Sequence, residues 1–229
     1  MRDEIVSYRE MCDREGIQTL QRGMNYRLRT SYSVVLMSRR SNAPYSDQIL
    51  KDGETIEYEG HDASRRKGTL DPKSVDQPGS LSSGKLTQNG FFVAAVESYL
   101  RNERDPEIVR VYEKLFDGVW SDKGLFELID YKIVRSGRRR VFKFYLRATT
   151  DAQLSLPADA ELVHRRLIPS EVKKEVWKRD KGRCVICGEN DHLHFDHDLP
   201  WSKGGASITV ENVRLLCARH NLQKSDKIE

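Results

Sequence analysis

The chain has 229 residues, a formal charge of +4 at neutral pH and 38% hydrophobic residues. This length accommodates one large domain or two modest ones. No stretch approaches the ~18 consecutive apolar residues of a membrane span, and the polar residues 1–4 (MRDE) differ from a secretory signal peptide. We therefore expect a cytoplasmic protein that has no membrane partner.

The positive charge is concentrated in segments that contain no acidic residue. One covers residues 16–46 and another covers residues 135–147. Runs of charge are most often solvated faces, but basic segments on a protein of modest net charge also suit a polyanionic partner. Nucleic acid is the obvious candidate for that partner.

The first elements are predicted in order along the chain. Apolar residues at helical spacing over residues 2–22 predict a helix that ends near Gly23. The compact apolar run at residues 32–37 predicts a strand. Residues 68–89 are rich in Gly, Pro, Ser and Asp, which predicts a long loop, and such loops are uncommon unless they are functional.

Strands dominate the following segment. We predict a helix over residues 91–100, and then strands over residues 125–133 and 140–148 that are joined by a turn at residues 136–137. Mixed strands with few helices indicate an α+β or barrel-like domain.

A linker divides the chain into two predicted domains. Residues 151–166 have weak periodicity and contain a proline, so we place the domains at residues 1–150 and 167–229. A helix begins near the start of the second domain, with Ser170 predicted as its N-cap.

Several short motifs are spaced along residues 32–148. They include Y-S-D at 45–47, Y-E-G at 58–60, D-Q at 76–77 and K-L-T at 85–87. Together they resemble the SRA (SET- and RING-associated, or YDG) family of modified-base readers, whose fold is a PUA-like β-barrel. The resemblance implies that Tyr45 and Tyr58 sandwich a cytosine flipped out of the duplex, and that Asp47 accepts hydrogen bonds from its Watson–Crick edge. The alternative is that both tyrosines are core aromatics and Asp47 is a turn residue.

Two pairs of metal-ligand residues lie in the C-terminal part, about 30 residues apart. The candidate ligands are Cys184 and Cys187 in the first pair, and Cys217 and His220 in the second. Two tight turns that each deliver two thiolate or imidazole ligands suit a tetrahedral zinc ion. With only Cys12 left over, a reducing compartment is favoured over a disulfide framework. Between the pairs, His192 and His194 alternate with apolar residues, and we predict that both are exposed strand residues.

An Asp-His pair lies between these ligand pairs. The sequence has D-H at 196–197, P-W-S-K-G-G at 200–205, an asparagine at 212 and another at 221, directly after the last ligand. This arrangement closely resembles the HNH (ββα-metal) nuclease family over residues 167–227. The family more often has a cysteine where His220 stands, so the resemblance implies that His220 is the fourth zinc ligand and that the final letter of the HNH name falls on Asn221.

The HNH resemblance implies a role for each residue of the site. Asp196 and Asn221 would hold one catalytic Mg2+ or Mn2+ ion through oxygen atoms. His197 would be the general base that takes a proton from the attacking water. Asn212 would orient the loop that carries the base. The zinc ion would be structural.

Together the two resemblances imply a modification-dependent, type IV-like restriction endonuclease. Its partner would be double-stranded DNA that carries 5-methylcytosine or 5-hydroxymethylcytosine, bound by base flipping, and its reaction would be phosphodiester hydrolysis. One HNH site cuts one strand, so cleavage of both strands would require a homodimer. Two alternatives stay open: an HNH endonuclease that recognises ordinary sequence or structure, and a zinc-stabilised DNA-binding module that does not cut.

Overall fold

The computed structural model describes residues 3–28, 31–65, 70–149, 168–197 and 209–224. Its strands are β1 (Asp3–Ser7), β2 (Met24–Asn25), β3 (Ser33–Met37), β4 (Gln48–Ile49), β5 (Thr55–Glu59), β6 (Glu107–Phe116), β7 (Val119–Ser136), β8 (Arg139–Ala148), β9 (Leu193–His197) and β10 (Val213–Cys217). Its helices are α1 (Tyr8–Arg14), α2 (Gln88–Leu100), α3 (Ser170–Arg179) and α4 (Ala218–Lys224), with short 3₁₀ turns at Pro72–Ser74 and Val210–Asn212. The predicted α+β class is confirmed.

These strands form one sheet around the long strand β7. The first part of β7 lies between β1 and β6, and its second part pairs with β8. From there the sheet continues through β1 to β9 and β10, through β6 to β3 and β2, and through β8 to β5 and β4. Among the described residues these pairings do not close into a ring, so the sheet is open where the family resemblance implies a barrel.

The prediction for the N-terminal segment is wrong. Residues 2–22 are not one helix, because β1 precedes α1 and α1 ends at Arg14. The Ser7 hydroxyl accepts from the Glu10 N–H at 3.2 Å, and the Glu10 carboxylate accepts from the Ser7 N–H at 2.6 Å. This capping box fixes the helix start at Tyr8. The residues before it are then free to pair with both β7 and β9.

Three apolar core clusters lie against the sheet in the described part of the chain. The first packs α2 against β3, β5, β6, β7 and β8. The second brings Leu115 of β6 together with Val176 of α3, Phe195 of β9 and Leu215 of β10. Since β1 and this second cluster both connect the two predicted domains, these domains share one sheet and part of one core. The predicted linker, residues 151–166, lies outside the described residues.

Most of the other predicted elements are confirmed, among them β3, α2 and the β7–β8 hairpin. Two local predictions are wrong. Pro169 is the N-cap of α3, and the Ser170 hydroxyl donates instead to the Glu113 carboxylate. His194 is buried, and its strand β9 lies between β1 and β10. None of the helices in the described ranges has the length and apolar character needed to cross a bilayer.

Candidate functional site

Three sulfur atoms and one imidazole converge beside the β9–β10 hairpin. Cys184 and Cys187 lie in the turn that follows α3, Cys217 is the last residue of β10, and His220 is on α4. Their ligand atoms all lie within 4.8 Å of one another. The structure therefore brings together the four residues that the sequence predicts as zinc ligands.

The spacing of these atoms fits a tetrahedral zinc ion. The sulfurs of Cys187 and Cys217 are 3.8 Å apart, and His220 Nδ1 lies 3.5 Å from the Cys184 sulfur and 3.3 Å from the Cys217 sulfur. Zn–S bonds of ~2.3 Å and Zn–N bonds of ~2.1 Å in a tetrahedron correspond to S–S edges of about 3.8 Å and S–N edges of about 3.6 Å. A zinc ion therefore fits this set with little movement of the ligands.

Backbone hydrogen bonds hold the first ligand turn in place. Gly188 has a φ of 76°, and its N–H donates to the Cys184 carbonyl at 2.8 Å. The Val185 N–H donates to the Leu215 carbonyl of β10 at 3.0 Å. Burial raises the pKa of the Cys184 thiol, but backbone N–H donors and the His220 imidazole outweigh it and lower this pKa to about 6. The thiolate, which is the form that binds zinc, is therefore favoured.

The predicted catalytic residues lie on the same hairpin and helix. Asp196 and His197 are the last two residues of β9, and the register pairs His197 with Val213 of β10. Asn212 directly precedes β10, and Asn221 is buried on α4. Two strands followed by a helix, with the Asp-His pair on the first strand, form the ββα arrangement that the sequence predicts.

The donor atoms of this second set differ in kind from those of the zinc cluster. Asp196 offers carboxylate oxygens and Asn221 offers an amide oxygen. Oxygen donors suit hard dications such as Mg2+ and Mn2+, whereas thiolates and imidazoles suit zinc. The two sets would therefore select different metals.

Two residues at the end of α3 hold the segment around Asn212 by hydrogen bonds, and the sequence does not predict them. Arg179 donates to the backbone oxygens of Val210 and Val213, at 2.7 Å in each case. Asp180 accepts from a backbone N–H of β10 at 2.9 Å and from Arg179 at 2.6 Å. An Arg-Asp pair at a helix end is common in sequences and signals no particular contact. Only the structure shows that this pair holds the backbone beside Asn212.

A buried ionic cluster joins α3 to the first domain. The Lys123 ammonium is 3.1 Å from the Glu113 carboxylate, and Lys173 Nζ donates to Ser121 Oγ at 3.0 Å and lies 3.9 Å from the same carboxylate. These side chains and Ser170 are fully buried. Burial raises the pKa of Glu113, but the two lysines outweigh it and hold this pKa below its usual range. Opposite charges therefore meet at the junction between β6, β7 and α3, with two ammonium groups beside one carboxylate.

An open pocket of about 610 Å³ lies on the first domain. Its lining includes Tyr45, Asp47, Glu59, Lys73 and Arg139. Arg139 forms an ion pair with Glu59 at 3.4 Å, and Lys73 Nζ lies 4.2 Å from the centroid of the Tyr45 ring. The pocket thus contains two of the three residues predicted to bind a flipped base, together with charges of both signs.

Asp47 is buried at this pocket and accepts two backbone hydrogen bonds. Its Oδ2 accepts from the Ser38 N–H at 3.1 Å, and its Oδ1 accepts from the Glu59 N–H at 3.0 Å. Burial raises the pKa of Asp47 to about 7, although these bonds and Lys143 oppose the rise. Each carboxylate oxygen has two lone pairs, so Asp47 retains acceptor capacity for a ligand.

The raised pKa predicts a pH dependence of folding stability. Because folding disfavours the ionised carboxylate, the contribution of Asp47 to the free energy of unfolding should fall as the pH rises from 3.8, the unfolded value, to about 7. Asp47→Asn should remove this fall, which is on the order of a few kcal/mol. Denaturant unfolding of both proteins at about pH 5 and about pH 8 measures it.

Asp117→Asn is the matched control for this measurement. Asp117 is exposed, and Lys114 and Arg40 lower its pKa, so its contribution is lost only at more acidic pH. The control should therefore keep the wild-type difference between the two pH values. If Asp47→Asn also kept that difference, the raised pKa of Asp47 would be wrong.

Tyr58 lies in the core rather than on the pocket wall. Its ring is 1% exposed, and its hydroxyl donates to the Gly23 carbonyl at 2.9 Å. The Tyr58 oxygen also lies 3.2 Å from His61 Nε2. The His61 ring stacks on Tyr45, with centroids 5.2 Å apart and planes 6° from parallel. The sandwich role of Tyr58 therefore stays a prediction.

The β7–β8 hairpin carries a second concavity of about 430 Å³. Its charged lining residues are Asp76, Arg135, Arg138, Arg139 and Arg140. Asp76 pairs with Arg140 at 2.8 Å, and Arg139 lines the first pocket as well. The acid-free segment found in the sequence thus forms a basic surface beside the pocket, which suits phosphate groups.

Part of the predicted nuclease motif lies outside the described residues. The run at residues 200–205 falls between residues 197 and 209, and residues 225–227, the end of the matching segment, follow residue 224. Residues 29 and 30 of the first basic segment are also outside them.

Comparison with known proteins gives results for both parts of the chain. The structure is similar to the SRA of SUVH5 with methylated CHH DNA (20% identity, TM-score 0.42, 66% of this chain and 86% of that chain). It is also similar to SUVH5 SRA bound to fully hydroxymethylated CG DNA, with 20% identity and a TM-score of 0.42 over 69% of this chain and 91% of that chain. A third similar structure is Arabidopsis thaliana SUVH6 in complex with SAM, with 22% identity and a TM-score of 0.42 over 76% of this chain and 28% of that chain. No curated protein matches the chain. The HNH endonuclease family matches residues 184–227, so this part of the chain is similar to HNH endonucleases.

Proposed function

We propose that the protein is a metal-dependent endonuclease that cleaves DNA carrying modified cytosine. The ββα hairpin supports this proposal most strongly, because it presents the Asp196-His197 pair and Asn221 next to a Cys3His cluster. A zinc ion with four protein ligands has no open position for substrate, so the cluster would stabilise the fold. Hydrolysis would then depend on the oxygen donors and on His197.

The catalytic step follows from these residue types. A Mg2+ or Mn2+ ion held by Asp196 and Asn221 would supply charge stabilisation at the scissile phosphate. His197 would accept a proton from water as the water oxygen bonds to phosphorus and the bond to the leaving 3′-oxygen breaks. Asn212, in the segment that Arg179 fastens, would orient the loop that follows His197.

The reader function rests on the SRA-like motifs and on the pocket of the first domain. Tyr45 provides an aromatic face and Asp47 a buried acceptor in one cavity, and these are the groups that hold a flipped base. The basic hairpin beside the cavity would contact phosphates. The substrate would therefore be double-stranded DNA with 5-methylcytosine or 5-hydroxymethylcytosine.

An HNH endonuclease that recognises ordinary DNA is the second candidate. Two observations favour it: Tyr58 is buried, and His61 covers a face of Tyr45, so the slot for a base is not open in this conformation. Both candidates share the nuclease and differ only in what the first domain recognises.

Cleavage of duplexes that differ in one modified cytosine tests the proposal. We expect the modified duplex to be cut about tenfold faster or more, and Tyr45→Ala to lose most of this preference, since stacking of one base on an aromatic ring accounts for an effect of this size. Tyr45→Phe keeps the ring and should keep the preference. Initial rates at limiting protein concentration measure both effects.

Arg135→Ala is the control for charge alone. Arg135 lies in the basic hairpin, and its loss should slow cleavage of both duplexes alike and reduce the salt dependence of binding. Equal cleavage of the two duplexes by the wild-type protein would favour the second candidate. Binding of DNA without cleavage, in the presence of Mg2+ or Mn2+, would count against the nuclease itself.

A further inference from the structure

An aromatic side chain of the protein already covers the Tyr45 ring. The His61 imidazole stacks on Tyr45 within 6° of parallel, with the ring centroids 5.2 Å apart. The same imidazole has its centroid 6.4 Å from that of Tyr58, and its Nε2 lies 3.2 Å from the Tyr58 hydroxyl. One ring of the protein therefore contacts both tyrosines that the SRA resemblance assigns to a flipped cytosine.

The main chain of His61 is held independently of its ring. The Asn89 side chain accepts from the His61 N–H and donates to the His61 carbonyl, at 2.8 Å in each case. The adjacent Gly60 carbonyl accepts from the Gln77 amide at 2.6 Å. None of these bonds involves the imidazole, so a change of the His61 rotamer would not break them.

The imidazole is also a chemical match for the ligand that it would displace. Burial lowers the pKa of His61 to about 4, although Asp62 opposes this, so the ring is neutral at neutral pH. A neutral imidazole and a cytosine are both flat heteroaromatic rings that stack on an aromatic face. Only one of them can occupy a given face of Tyr45 at a time.

We propose that His61 occupies the base-stacking position in the DNA-free protein and that a flipped cytosine replaces it on Tyr45. This inference rests on the proposed reader function. Base binding is then an exchange of one stack for another, so a base must stack and hydrogen-bond better than the imidazole to enter. His61 thereby sets the threshold that any base must exceed to enter, because its ring competes with every base for the same face of Tyr45.

Binding to matched duplexes tests this exchange. Every arm uses the full chain with His197→Ala, so that the DNA stays intact, and duplexes with or without one 5-methylcytosine next to a 2-aminopurine. Adding His61→Ala should tighten binding of the modified duplex about two- to tenfold, the range that corresponds to one aromatic stack. It should also increase the 2-aminopurine fluorescence, which reports unstacking, with both duplexes.

Two further variants separate the ring from other effects. His61→Phe keeps a ring for Tyr45 and should bind no more tightly than the parent protein. His192→Ala removes an exposed imidazole and should change nothing. A direct readout is the Hε1 resonance of His61, assigned through bonds, which should shift with the modified duplex as the imidazole leaves Tyr45.

Several results would overturn the assignment. Weaker binding by His61→Ala would make His61 a DNA contact, and unchanged binding with an unshifted resonance would leave it a structural residue. If His61→Ala failed to fold, the resonance of the unaltered protein would decide. A parent protein that bound both duplexes equally would remove the reader function and this inference with it, whereas a parent with a clear preference and an unaffected variant would reject His61 alone.

Discussion

His197→Ala should abolish DNA cleavage while the protein keeps its zinc, its fold and its affinity for DNA. His197 ends β9, where the sheet and the second core cluster hold its main chain, so removal of the imidazole should not disturb the hairpin. Loss of a general base removes an interaction made in the transition state, and we expect a decrease of about 10²- to 10⁴-fold in rate. Single-turnover cleavage, with zinc content and DNA binding measured on the same sample, checks this result.

Two other variants serve as a control and as a test of the metal ligand. His192→Ala removes an exposed histidine just before the same strand and should cut normally. Asn221→Ala removes an oxygen donor and should weaken cleavage in a way that more Mg2+ or Mn2+ partly restores, because the loss is in metal affinity. Cleavage by His197→Ala at the wild-type rate would show that another group is the base.

Cys217→Ser should release zinc and destabilise much of the chain. Metal binding and folding are coupled in sites of this kind, so a loss on the order of several kcal/mol is expected. Cys217 ends β10 in the second core cluster, which includes Leu115 of the first domain, and β9 pairs with β1. We therefore expect both domains to unfold at a lower temperature, as measured by circular dichroism. Elemental analysis of the same sample measures the loss of zinc.

Cys12→Ala is the matched control for the loss of a buried thiol. Cys12 is 3% exposed and belongs to the third core cluster, away from the zinc ligands. Its replacement should cost about 1 kcal/mol and leave the zinc content unchanged. Purified wild-type protein that contained no zinc would overturn the assignment of the cluster.

The zinc ligands could be predicted from the sequence because their geometry is mostly local. Each pair is set by a turn of a few residues, and only the meeting of the two pairs depends on the rest of the fold. The Asp-His pair was found in the same way, from its place between the ligand pairs. Strand and helix positions such as β3 and α2 followed from apolar patterns.

Other contacts between distant residues could not be predicted. The spacing of apolar residues near the N-terminus suits a helix, and only the pairing of β1 with β7 and β9 makes its first residues a strand. Serine is a common N-cap residue, but the Ser170 hydroxyl donates its hydrogen bond to the buried Glu113 carboxylate. His61 lies outside the motifs for base recognition, and its proposed role depends on a ring 16 positions earlier in the chain, that of Tyr45.

Strand β1 gives the molecule a property that neither domain has alone. It is hydrogen-bonded to β7 on one side and to β9 on the other, so an unbroken run of strands lies between the pocket of the first domain and the Asp-His pair. If the proposed function holds, one continuous sheet keeps the base-binding site and the cleavage site at a fixed separation. The fold would then set the number of nucleotides between the modified base and the cleaved bond. Every product would end at the same distance from the modified base.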